Sequence, residues 1–224
     1  MGFETSGLGR LNMKKLILIG AGGHSKSVAD ALSSEYTIYG FIDENKSGMH
    51  MGKPILGKTI EEIPNYHDFY YFVSIGGNGF RRSWFEKIKS LGLQTINIID
   101  PTACIAKTAR MGIGNFIGKY AIINADSVIG DNNVINTRAL VEHECVVGSN
   151  VHLSTGSVIN GNVIVNDGVF LGSMAVCNGQ LSIGANSIIG SGSVVIRDVD
   201  PNVTVVGVPA HVIKRKEEQA KEYV

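Results

Sequence analysis

The sequence predicts a small parallel α/β domain followed by a parallel β-helix that fills the second half of the chain. Three observations carry this reading. Apolar strand-like and amphipathic helix-like segments alternate between Lys14 and Asp100, a glycine turn follows the first strand, and aliphatic residues recur every six positions from Ile105 to Val195.

Residues 1–12, MGFETSGLGRLN, read as a leader outside the fold, with Met13 as the natural start and the first domain over 13–100. KKLILIG is the first strand, GAGGHS a tight turn, and the helix that follows puts Val28, Ala31 and Leu32 on one face. YTIYGFIDEN is the second strand, ending at Asp43. A capping-box-like TIEE at 59–62 precedes the third strand, YYFVSIGG. NGFRRSWFEKIKSLGL is a helix with Trp84, Ile88 and Leu91 on one face; QTINIID is the last strand, and Pro101 marks the handover to the coils. This alternation argues a domain of the Rossmann type. GAGGHS is not a complete GxGxxG, because Ser25 stands where the third glycine belongs. In its setting the turn lets backbone N–H groups meet an anion; a turn that binds nothing is the alternative. Asp43 lies about 20 residues on, where carboxylates accept from ribose or sugar hydroxyls, or it is a solvated loop acid.

From Ile105, steps of six land on Met111, Ile117, Ile123, Ile129, Ile135, Val141, Val147, Leu153, Ile159, Val165, Leu171, Cys177, Ile183, Ile189 and Val195. The next residue is often Gly or Asn, expected to take φ > 0 at a corner, and the fourth after each start is often small. Three such hexapeptides close one triangular coil, and coils stack at the parallel-strand spacing of about 4.8 Å. A helical period of about 3.6 does not divide six evenly, so an amphipathic helix cannot explain the rhythm. The β-helix is expected over 101–212, with VIKRKEEQAKEY opening a short C-terminal helix and tail over 213–224. A passive rod would show one repeated surface ladder such as Thr-x-Thr, and none runs through these coils.

Twenty basic side chains offset twenty acidic ones, so no net field recruits nucleic acid or an anionic membrane. No apolar run reaches the roughly 18 residues of a membrane span, and the start lacks the order of a signal peptide. Three widely spaced cysteines without a CxxC point to reduced thiols and a cytoplasmic protein.

The coils, with VVGVPAHVIKRK at 205–216, resemble the hexapeptide-repeat acyltransferases and their terminal VxGxPAxxI segment. That resemblance implies a left-handed β-helix, against the usual crossover rule. Together with GAGGH, FIDEN, SIGGN and EHEC, residues 14–215 resemble the NeuD family of sialic-acid O-acetyltransferases, which includes PglD-type nucleotide-sugar N-acetyltransferases. The resemblance implies acetyl-CoA as co-substrate, no metal, and a homotrimer with active sites between subunits. It casts His143 as general base, Glu144 as the acid that raises its basicity, and Asn136 as a residue near the reacting centre. It places His152 against acetyl-CoA, backbone near Ser173, Gly190 and Ser191 along the pantetheine arm, and Gly207, Val208 and Pro209 at the adenine end. It assigns the nucleotide sugar to Gly22, Gly23, His24, Asp43, Glu44, Gly76, Gly77 and Asn78. Arg81 and Arg82 either meet a diphosphate or are solvated arginines at a helix start.

Glu142 and Glu144 should share a face opposite His143 if the strand is straight there, and His152, half a coil on, cannot lie above His143. A neutral imidazole nudged upward by a carboxylate suits proton removal from an attacking amine, help worth about 10²–10⁴ in rate. The expected activity is acetyl transfer from acetyl-CoA to the amine of a nucleotide-linked, UDP-type 4-amino-deoxysugar. The alternatives are O-acetylation of a sialic-type sugar, a γ-carbonic-anhydrase-like metalloenzyme, and a non-catalytic nucleotide-sugar sensor. The metalloenzyme is short of ligands, since the coils supply only His143 and His152 and His211 lies in the tail.

Overall fold

The computed structural model describes residues 13–215. The leader at 1–12 and the tail from 216 lie outside the described residues.

The first domain is a six-stranded sheet of order β3-β4-β2-β1-β5-β6. Its elements are β1 (Lys14–Ile19), α1 (Gly23–Asp30), β2 (Tyr36–Ile42), β3 (Met49–His50), β4 (Lys53–Gly57), β5 (Tyr70–Val73), α2 (Asn78–Ser90) and β6 (Gln94–Thr95). All neighbours are parallel except the β3–β4 hairpin. The period of two along β1 divides its side chains between two cores. Ile17 and Ile19 pack with Trp84, Phe85 and Ile88 of α2, while Leu16 and Leu18 pack with Val28 of α1 and Ala31 just after it.

The β3–β4 hairpin is absent from the sequence reading. Its two-residue loop takes φ of 49° at Met51 and 73° at Gly52, a turn normally signalled by Asn-Gly or Asp-Gly rather than Met-Gly. TIEE forms a 3₁₀ turn at Ile60–Glu62 in which the Thr59 side chain caps nothing. The Glu62 carboxylate instead accepts from the Lys58 N–H at 2.8 Å.

QTINIID is not one strand. Gln94–Thr95 pairs with β5, but Ile98–Ile99 already pairs with Phe116–Ile117 as the first rung of the coils. The handover therefore falls at Ile96–Asn97, ahead of Pro101. Asn97 occupies the joint, accepting from the Asn115 N–H at 2.9 Å and donating to the Gly112 carbonyl at 2.7 Å.

The rest is a three-sided parallel β-helix in which each two-residue strand pairs with the strand eighteen residues on. The first face runs Ile98–Ile99, Phe116–Ile117, Val134–Ile135, His152–Leu153, Phe170–Leu171, Ile188–Ile189 and Val203–Val206. The second face runs from Cys104–Ile105 to Val194–Val195 and the third from Arg110–Met111 to Ser182–Ile183. The repeat-start aliphatics fill the interior from Ile117 to Val195. Ile105 and Met111 are only partly buried, because the first coil has none beneath it.

The Gly and Asn after each aliphatic do not take the left-handed conformation. That falls two residues later, at Tyr120, Asp126, Asn132, Arg138, Glu144 and onward, with φ near 60°. Glycine follows the aliphatic for a different reason, the approach of the next coil. A β-carbon at Gly118 would lie 2.9 Å from the Thr137 nitrogen, and one at Gly172 would lie 2.8 Å from the Gly190 carbonyl carbon.

The C-terminal helix expected from residue 213 is replaced, as far as Arg215, by a strand. His211–Arg215 pairs antiparallel with Val203–Val206 and covers the edge that the last coil would leave open. The α/β domain sits on the first face, where Phe116, Val134 and Ile98 join the core of Leu16, Leu18, Phe41 and Phe72.

Candidate active site

His143 stands in the corner between the second and third faces, after Leu140–Val141 and before Val146–Val147. Its Nδ1 lies 3.0 Å from Glu144 Oε2, and both side chains are exposed. A carboxylate only accepts, so Nδ1 carries the hydrogen and Nε2 is left bare. The straight-strand expectation fails here. Glu144 takes φ of 59°, which swings its carboxylate back onto the imidazole instead of leaving it opposite.

Asn136 belongs to a different corner, between the first and second faces, and so is not brought to His143 within one chain. Backbone hydrogen bonds climb that corner from Asn136 to Leu153, from Ser154 to Leu171, from Gly172 to Ile189 and from Gly190 to Val205. Ser173, Gly190, Ser191 and Gly207 stand on this same column, and the Gly192 N–H donates to the Ser173 carbonyl at 2.9 Å. Val208 and Pro209 continue it beside a cavity of about 350 Å³ shared with Arg197 and His211.

His152 lies next to Asn136 but is buried on the first face. Its Nδ1 lies 3.0 Å from the Gly76 carbonyl, and its ring packs edge-on against Phe170 at 5.1 Å. Asn136 Oδ1 accepts from the Thr137 N–H at 2.8 Å, which turns the Asn136 NH₂ toward His152 Nε2, 3.4 Å away. Burial lowers the His152 pKa to about 4, opposed by the hydrogen bond to the Gly76 carbonyl and aided by the Arg81 charge.

The second cluster is a cavity of about 360 Å³ at the carboxyl ends of β1, β2 and β5. Gly22, Gly23, His24, Asp43, Glu44 and Gly76 all line it. Asp43 Oδ2 accepts from the Ala21 N–H at 2.8 Å and Oδ1 from the Asn45 N–H at 3.0 Å, tying the glycine turn to the end of β2. Ser25 is buried, and its hydroxyl donates to the Gly22 carbonyl at 2.7 Å. With that hydrogen spent, His50 Nε2 at 2.9 Å is the donor to Ser25, so this pair braces the turn and supplies no nucleophile.

His24 packs edge-on against Phe116 at 4.9 Å, with Nε2 buried and unpartnered among the described residues. Burial, then His152 and Arg81, bring its pKa to about 4. Three of the lining residues absent from the sequence reading bear on what the cavity could hold. Lys46 donates to the Ala21 carbonyl at 2.6 Å, Phe80 exposes its ring, and Trp84, read as core, shows the cavity an edge. The Lys46 ammonium brings positive charge to the mouth; its signal was the lysine just after FIDEN.

Gly77 and Asn78 do not line this cavity. Gly77 caps α2 in an extended conformation, and Asn78 Nδ2 donates to the Gly168 and Val169 carbonyls of the coils at 3.0 and 3.1 Å. Neither expectation for the arginine pair holds at Arg81, which is 1% exposed and spent on carbonyl oxygens between the domains. Arg82 is a solvated helix arginine paired with Glu86 at 3.0 Å.

Among the described residues no three His, Cys, Asp or Glu side chains converge as a metal-binding group, and no helix is long and apolar enough to cross a membrane.

Residues 15–88 match the PglD N-terminal domain family. A structure of perosamine N-acetyltransferase from Caulobacter crescentus in complex with CoA and GDP-perosamine is 33% identical, with a TM-score of 0.86 over 89% of this chain and 97% of that one. The acetyltransferase domain of PglB from Neisseria gonorrhoeae is 32% identical, with a TM-score of 0.86 over 89% of this chain and all of that one (100%). WeeI from Acinetobacter baumannii is 27% identical, with a TM-score of 0.81, over 90% of this chain and 100% of that one. An uncharacterized protein of Acanthamoeba polyphaga mimivirus, L142, is 35% identical over 112 residues, 49% of this chain; the match spans only 22% of the viral protein. With a third of its residues shared across nearly all of the Caulobacter enzyme, the chain belongs to the NeuD/PglD-like family of hexapeptide-repeat sugar acetyltransferases.

Proposed function

We propose that this protein transfers the acetyl group of acetyl-CoA to the amine of a nucleotide-linked 4-amino-deoxysugar, with His143 as general base. The observation that carries this reading is the His143–Glu144 pair, whose Nε2 is free on an exposed corner of the coils. As the amine attacks the thioester carbonyl, Nε2 takes its proton and Glu144 stabilises the imidazolium. The tetrahedral intermediate then collapses with loss of the coenzyme thiolate. The α/β cavity, with backbone N–H groups at the Gly22–Gly23 turn and the Lys46 ammonium at its mouth, suits the diphosphate and ribose of the acceptor.

Within one chain the base and the coenzyme column do not meet. They flank opposite ends of the second face, about 20 Å apart for six residues at about 3.3 Å each. A closed ring of three copies, one copy's His143 corner against the next copy's Asn136–Ser173 column, would bring them together. Outward apolar residues support such packing: Ile122, Leu140, Val158 and Val176 on the second face, and Val146 and Ile164 on the third. The three cysteines, free among the described residues, fit a reducing compartment such as the cytoplasm.

The test is a steady-state assay of acetyl transfer to GDP-perosamine, UDP-4-amino sugars, CMP-sialic acid and sialic acid. The expected result is turnover with the amino sugars and a loss of about 10²–10⁴ in kcat for His143→Ala. Turnover with the sialic substrates alone would overturn the reading in favour of O-acetylation.

A further inference from the structure

Arg81, in the first turn of α2, spends its fork on both domains. Nε donates to the Asn132 carbonyl at 3.0 Å, Nη1 to the Gly76 carbonyl at 2.9 Å, and Nη2 to Asn78 Oδ1 and the Asn150 and Val151 carbonyls at 3.0, 3.1 and 3.2 Å. Among the described residues Arg81 forms no ion pair with a carboxylate. A buried cation held only by carbonyl dipoles is a costly way to join two surfaces, since apolar packing of equal volume does it as well or better. Its placement calls for a further role.

The Gly76 carbonyl provides one. It accepts from Arg81 Nη1 and faces His152 Nδ1 at 3.0 Å, while Gly76 itself lines the α/β cavity. A carbonyl cannot donate, so Nδ1 carries the imidazole hydrogen. The Asn136 NH₂ points at Nε2, an arrangement only a bare nitrogen tolerates. The charged and titratable groups that face His152 are Arg81 and His24, and neither favours imidazolium.

We infer that Arg81 is a positioning residue that locks the Gly76–Asn78 loop of the acceptor cavity onto the coil corners at Asn132 and Asn150–Val151, and thereby holds His152 as the neutral Nδ1–H tautomer beside Asn136. Through this joint the cavity for the sugar and the column for the coenzyme share one rigid reference. His152 Nε2 then accepts from the Asn136 NH₂ and so orients that amide at the reacting end, and His152 is not a donor to the thioester oxygen. The kinetic part of this inference rests on the proposed activity; the tautomer part does not.

The experiment compares the full-length wild type with Arg81→Gln and Arg81→Lys by ¹⁵N-histidine NMR and by kinetics. In the wild type, His152 should show the Nδ1–H tautomer and no titration between about pH 5.5 and 8. In Arg81→Gln the Gly76 carbonyl is no longer pinned against Nδ1 and the tautomers should mix. There kcat/KM for the amino sugar should fall roughly 10²-fold, the scale of an ångström-sized misplacement, while the KM for acetyl-CoA stays within a few-fold. Arg81→Lys keeps the cation but cannot span the acceptors, so it should leave His152 neutral yet still lose kcat/KM. A folded Arg81→Gln protein with wild-type His152 ring shifts overturns the inference. If Arg81→Gln does not fold, Arg81→Lys decides, and wild-type kinetics there overturn it. Should the wild type acetylate no amino sugar while His152 still responds to Arg81→Gln, the proposed activity fails and the positioning role stands.

Discussion

The imidazole of His143 fills the place that a side chain at Gly161 would take: a β-carbon there would lie 2.6 Å from both Cε1 and Nε2 of the ring. Gly161 is one coil further along, and the Asn162 N–H donates to the His143 carbonyl at 2.9 Å. The candidate base is thus shelved on a glycine whose backbone needs no positive φ.

Gly161→Ala should therefore fold and disturb the ring alone. The expected outcome is a fall in kcat of roughly 10–10²-fold, with stability changed by less than about 1 kcal/mol. Steady-state kinetics alongside urea denaturation check it; unchanged kcat would mean that the ring orientation seen here does not matter to turnover.

Glu144→Gln keeps a hydrogen-bond acceptor beside Nδ1 and removes the charge that steadies the imidazolium. The plateau of kcat should fall about 10-fold. An unchanged kcat would show that the carboxylate only orients the ring.

The half-buried His24 and the buried His152 make stability depend on pH. His24 and His152 titrate at about 4 in the folded protein, below the ordinary 6.5, because burial penalises the imidazolium. The unfolded chain takes up those protons first as pH falls, so their contribution is complete above pH 6.5 and is lost as pH drops toward 4. Each histidine should add a slope of about 1.4 kcal/mol per pH unit in that window. Urea melts at stepped pH measure this. His24→Asn should halve the slope, and a flat curve would place the histidines in water.

Ile164 and Val146 are paired neighbours on the third face, 46% and 45% exposed. A carboxylate in the middle of that column should prevent apolar packing between copies. Ile164→Asp is expected to be a folded monomer by light scattering that transfers no acetyl group. A monomer with full activity would refute the shared site.

The coils were legible because their signal is local: each buried aliphatic, from Ile117 to Val195, sits six residues from the next. The same local character exposed the turn at Gly22–Gly23 and Asp43 after β2. The corner residue in the left-handed conformation was misplaced by two positions, although Gly, Asn and Asp dominate it, because Tyr120, Arg138, Glu144 and Met174 interrupt the run. Arg81 and Asn78 were misread for a different reason. Their partners are carbonyls of Asn132, Asn150 and Gly168, and no local pattern tells which coil corner a helix will meet. Asn136 and His143 look adjacent in sequence, yet six residues carry the chain from one corner of the prism to the next.

The strand that splits at Asn97 bears on how such proteins can be recombined. Ile98 closes the first domain's core against Phe116 and Val134 while its backbone begins the first rung. A graft cut at Pro101 would carry the coils away without their bottom step and leave an oily flank on each fragment. Exchanging the α/β domains of relatives therefore calls for a seam at Thr95–Ile96, with Asn97 and the face it plugs into inherited from the same parent.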